Sequence, residues 1–132
     1  MIYLDTSAAV KALVREEHSD AIRELLDGEQ QFVSSRLFAL ELATVTQRRN
    51  ADRGESERLL RRIDLVSLDD TVVDQAIMAT SGLRALAALH LATAMLLGDI
   101  VESILSFDRD LLEGAQARGI TPHPLSWSAG AG

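Results

Sequence analysis

The chain has 132 residues, a formal net charge of −7, 47% hydrophobic and 25% charged residues, 4% aromatics and no cysteine. That length suits one compact domain with an aliphatic core, and the missing cysteines exclude disulfide staples, thiolate zinc sites and sulfur nucleophiles. The acidic balance excludes general electrostatic adhesion to nucleic acid, which draws on lysine and arginine.

Ile2-Tyr3-Leu4 is an apolar run that stops at Asp5-Thr6-Ser7, whose side chains favour helix N-caps, so a strand feeds a helix that begins at Ala8. Ala21, Ile22, Leu25 and Leu26 make a helical stripe within 18–26, ending near Gly28. Phe32-Val33 is a second strand, Ser34 or Ser35 caps a helix to about Arg49, 50–54 is a loop, and a helix follows from Glu55 to about Arg62. Leu65 to Leu68 is a third strand, and Asp69-Asp70 opens a helix over 71–80 with acids where the helix dipole favours them. Leu86 to Leu97 is apolar on nearly every side, as in a helix buried at the centre of a domain. Ile104 to Phe107 is a fourth strand, Asp108 starts a helix ending near Gly119, and 120–125 adds a short edge strand interrupted by Pro122 and Pro124. A domain over 1–125 and a disordered tail over 126–132 are expected.

Strands alternating with helices predict an α/β domain with a parallel sheet, because parallel strands need crossovers. The amino terminus shows no basic and apolar leader, and Leu83 to Leu97 is broken by Arg84, His90 and Thr93, so a cytoplasmic protein without membrane contact is expected. Six arginines (Arg48, Arg49, Arg53, Arg58, Arg61 and Arg62) cluster in one region, either as a basic ridge or as helix faces paired with Glu55 and Glu57.

Asp5 and Asp108 share one setting: each ends an apolar strand and opens a helix. Parallel strands present their carboxyl ends along one edge, where such sheets bind ligands, so the two carboxylates converge there. Either residue alone would be read as a cap. Glu41 falls between Leu37 and Val45 on the stripe of its helix that faces the core, so it needs an arginine, a proton or a bound cation. Lys11 is the one lysine in the chain. Converging carboxylates without thiols describe a hard oxygen site suited to magnesium or manganese, and phosphoester hydrolysis is the chemistry such a site serves. Ser7 and Ser106 are placed to orient a neighbouring carboxylate or a metal-bound water. His90, alone among leucines and alanines, is read as a hydrogen-bonded core histidine.

These residues resemble a known family. Ile2 to Ala8 is similar to the start of PIN-domain toxins of the VapC type, Glu41-Leu42 to their second acidic position, Leu83 to Ala94 to their most distinctive segment, and Leu105 to Leu111 to the fourth. Order and spacing agree from Ile2 to about Leu125. The resemblance implies a parallel sheet of about five strands with metal at its carboxyl edge, held by Asp5, Glu41 and Asp108. It also implies a sequence-selective endoribonuclease acting on RNA, a homodimer, and restraint by a VapB-like antitoxin. Where the family pattern has aspartate this chain has Ala87, so one expected ligand is missing and cutting is expected to be impaired. Two other magnesium folds fit less well. A receiver-like signalling module needs a lysine after a late strand, and a haloacid-type phosphatase needs an acid where Ser7 stands.

Overall fold

Strands and helices alternate along residues 1–126, which the computed structural model describes, as β1 (Ile2–Leu4), α1 (Thr6–Leu13), α2 (Ser19–Asp27), β2 (Phe32–Ser35), α3 (Arg36–Arg48), α4 (Arg53–Arg61), β3 (Ile63–Val66), α5 (Asp70–Ala79), α6 (Ala85–Leu97), β4 (Ser103–Leu105) and α7 (Arg109–Ala117). The four strands form one sheet in the order β3-β2-β1-β4, and every pairing is parallel. Alternation along the strands sorts two cores. Ile2, Leu4, Phe32 and Leu105 face α1 to α4 through Ala8, Ala9, Ile22, Leu26, Phe38, Leu42 and Leu59. Tyr3, Val33 and Ile104 face α6 and α7 through Leu91, Ala94, Leu111, Leu112 and Ala115. With helices on both faces, β1 has no polar side to show, which is why it reads as an unbroken apolar run, whereas β2 is apolar only up to its two closing serines.

Four details differ from the sequence reading. The sheet has four strands rather than about five: residues 120–125 contribute only an isolated bridge between Ile104 and Pro122, because two prolines remove the N–H groups a ladder needs. The third strand begins at Ile63, two residues early, since edge position leaves one flank solvated and tolerates the exposed Asp64. Helix α6 is not buried all round; His90 to Ala94 are covered, whereas Leu86 and Leu96 are 51% and 47% exposed. Ser126, assigned by sequence to the tail, is buried, accepts from the Ser106 N–H and donates to the Ile104 carbonyl. The rest of that predicted tail, 127–132, lies outside the described residues. Among the described residues no helix is long and apolar enough to cross a membrane.

Helix α4 is polar along most of its length and depends on its cap. The Asp52 carboxylate accepts from the N–H groups of Gly54 (2.8 Å) and Glu55 (3.3 Å). Asp52→Ala is expected to cost about 1 kcal/mol, read in urea as a lower midpoint at unchanged slope.

Candidate active site

Leu4 lies opposite Leu105 in the β1–β4 pairing, so the residues after each strand emerge side by side at the carboxyl edge of the sheet. The Asp5 N–H continues the ladder by donating to the Leu105 carbonyl (3.0 Å). Asp5 stands at the N-cap position of α1, yet its side chain makes no cap bond. The residue is 6% exposed, and its Oδ2 accepts from Ser7 Oγ (2.6 Å) and from Ser106 Oγ (2.8 Å). While its O–H donates to Asp5, Ser7 Oγ accepts from the Phe107 N–H (2.8 Å), and Ser106 Oγ likewise accepts from the Asp108 N–H (3.0 Å). Two charge-assisted bonds on one oxygen fix the carboxylate's orientation.

Asp108 does serve as a cap: Oδ1 accepts from the Leu111 N–H (3.2 Å) at the start of α7. Asp110, in the first turn of the same helix, is exposed. Glu41 reaches the cluster from α3, where Oε1 accepts from Thr6 Oγ1 (2.8 Å) and from His90 Nε2 (2.6 Å). The partner that sequence demands for Glu41 is thus a histidine. His90 also lies 3.7 Å from Asp5 Oδ1 and bonds the Tyr3 hydroxyl through Nδ1 (2.7 Å). It is a hydrogen-bonded core histidine, as its sequence setting suggests, but its bonds run into the carboxylate cluster and make it a member of the site.

Burial alone would push the His90 pKa down. The hydrogen bond to Glu41 and the charges of Asp5, Glu41 and Asp108 outweigh it, so the pKa is raised above its ordinary value. A cationic ring then donates from both nitrogens, to Glu41 and to the Tyr3 oxygen. Burial holds the Tyr3 phenol above the usual range, so it stays neutral. Ala87 lies three residues before His90 on α6, half-buried against the core that contains Tyr3. Arg62, the last of the clustered arginines, is anchored to the carbonyls of Leu26, Gly28 and Gln30, so it holds the end of α4 rather than extending a basic ridge.

Carboxylate oxygens are the donors that magnesium or manganese prefers. Among the described residues, however, no group of three or more His, Cys, Asp or Glu side chains is disposed to hold a metal ion. Glu41 is turned to His90 and Thr6, and a methyl group occupies position 87. The acids fit an ion in kind and fall short in arrangement.

A parallel α/β domain with a buried Asp5 and the half-buried Glu41 and Asp108 gathered where β1 and β4 end defines the class. The sequence matches the PIN domain family over residues 2–116. It is 38% identical over 125 residues to ribonuclease VapC46 of Mycobacterium tuberculosis, covering 90% of this chain and 93% of that one. It is 35% identical over 129 residues to ribonuclease VapC35 of the same organism, covering 89% and 91%. The chain belongs to the PIN-domain family, among the VapC ribonuclease toxins. Its fold is shared with the M. tuberculosis VapC20 toxin, described as cleaving the sarcin–ricin loop (TM-score 0.70, 16% identity, 93% of this chain and 98% of that one). A toxin–antitoxin complex from Klebsiella pneumoniae has the same fold (TM-score 0.68, 13% identity, 83% and 89%).

Proposed function

We propose that the chain is the endoribonuclease toxin of a type II toxin–antitoxin pair, acting in the cytoplasm, with its cutting impaired by Ala87. The observation that carries this is Asp5. It is a buried carboxylate spared from capping, oriented by the two hydroxyls of Ser7 and Ser106, and set beside Glu41 and Asp108 in a chain of the VapC family. The reading includes a divalent ion, magnesium or manganese, held by Asp5, Glu41 and Asp108 together with the aspartate that Ala87 replaces. The shortfall in the present arrangement is the reason weak cutting is expected. The decisive experiment restores the acid: Ala87→Asp protein is incubated with cellular RNA in magnesium and in chelator, and cut ends are mapped. A folded variant that cuts nothing would move the proposal to a PIN domain that only binds its antitoxin or RNA.

The same reading includes a VapB-like antitoxin and a homodimer. The likeness to a fold solved within a toxin–antitoxin complex supports the first. For the second, α5 leaves Val73 and Ile77 40% and 67% exposed one turn apart on the same face, with Met78 beside them at 76%. Ile77→Asp is expected to leave the fold intact and convert a dimer to a monomer in sedimentation. A wild-type chain that is monomeric at high concentration would count against the dimer.

A further inference from the structure

A second cluster, built of ring side chains, adjoins the acids. Phe107 sits between Ser106 and Asp108, and its N–H is tied through Ser7 Oγ (2.8 Å) to Asp5 (2.6 Å). Its ring carries two partners. His18 stacks on it at 5.5 Å between centroids and 26° between planes, and the Lys11 ammonium lies over it at 4.6 Å from the centroid. Lys11 is one turn beyond Ser7 on α1, so the stack rises from the same helix face that clamps Asp5.

His18 is the unusual member. It precedes α2 with φ 72°, a left-handed backbone that histidine adopts at a cost, and its side chain caps nothing. Ser19 Oγ closes the turn instead, accepting from the Glu16 N–H and donating to the Val14 carbonyl. The imidazole is left 40% exposed on the outside of the stack, held by ring contact and by an ion pair to Glu17 (3.5 Å) when protonated. Lys11 is largely covered and paired with Glu16 (3.6 Å), so it steadies Phe107 more than it offers a free charge.

We infer that His18 and Phe107 form a base-stacking platform that holds a nucleotide of single-stranded RNA beside Asp5 and Asp108. The inference rests on the ribonuclease reading and names the subsite that positions its substrate. A chain of net charge −7 gains little from phosphate attraction, and stacking is the contribution to RNA affinity that needs no positive charge. Phe107 adjoins Asp108 in sequence and its backbone N–H is two hydrogen bonds from Asp5, which sets the platform next to the acids.

The chain as it stands, with Ala87, allows binding to be measured apart from cutting. The probe is a single-stranded RNA hexamer containing one 2-aminopurine, whose fluorescence falls when the base stacks. The expected result is quenching on binding, with Kd raised roughly tenfold and quenching lost in Phe107→Leu and in His18→Asn. Asparagine tolerates the left-handed backbone while lacking the ring, and His18→Tyr restores a ring at a greater backbone cost than histidine and is expected to recover both readouts in part. Variants that bind and quench like the parent would overturn the platform and leave the ribonuclease reading standing. The platform falls in the same way if His18→Tyr behaves like His18→Asn. No RNA binding by the parent, with no cutting by Ala87→Asp, would remove both.

Discussion

Ala87→Asp is expected to raise magnesium-dependent RNA cutting by roughly a hundredfold or more and to arrest growth when expressed without an antitoxin. Position 87 is on α6 three residues before His90, and side chains at that spacing share a helix face. A carboxylate there joins the acids that His90 already serves. Without metal the added charge repels Asp5 and Glu41, so the variant should melt a few degrees below the parent. Magnesium should then raise its melting temperature, because an ion bound only by the folded state stabilises it. The parent should show little such rise. Cleavage assays in magnesium and chelator, with melting curves in both, check the two halves separately. A rise in melting temperature without cutting would show that the acids bind an ion yet do not hydrolyse RNA. Absence of both would defeat the proposed ligand set.

His90→Ala is expected to cost about 3 kcal/mol, lowering the melting temperature by roughly 10 °C. The substitution removes the cation between Asp5 and Glu41 and leaves the buried Tyr3 hydroxyl without its imidazole partner. Charges left unpaired in a covered site account for most of that cost. The pH dependence carries the signature. A folded pKa above the ordinary 6.5 means that the His90 contribution is complete below that value and is lost as pH rises through the folded pKa. Wild-type stability should therefore decline as pH rises through that folded pKa, while His90→Ala should lack the decline. Melting curves at half-unit steps from about pH 6 to pH 9 compare the two. Parallel curves would mean that His90 is neutral in the folded protein.

Residues at strand ends are legible in the sequence because their placement is local. Asp5 and Asp108 follow apolar runs and precede helices, so a parallel sheet brings them to one edge, and the serines two residues from each come with them. His90 is harder to read because its meaning lies 49 residues away in Glu41. The signal is nevertheless present as two anomalies, an acid on a core-facing stripe and a lone polar ring on an apolar helix, which are the two halves of one pair. The start of β3 is obscured because an exposed acid inside an edge strand looks like the end of a loop. The uncovered flank of α6 leaves no trace, since a helix apolar all round has no preferred side to declare. Likewise no periodicity points to the His18–Phe107 stack, which depends on a turn geometry set by Ser19.

The pairing of β1 with β4 joins nearly the two ends of the chain: the Ser106 hydroxyl that orients Asp5 is 101 residues from it in sequence. Contacts of such separation are slow to form, because the chain between them must be ordered before they reward it. On the ribosome, β1 waits beside a vacant edge until β4 has emerged, and no amino-terminal fragment that ends before Ser106 contains the full clamp that aims Asp5. A site built this way is completed by the last strand of the sheet, so a translation product interrupted before Ser106 is expected to lack it from the start.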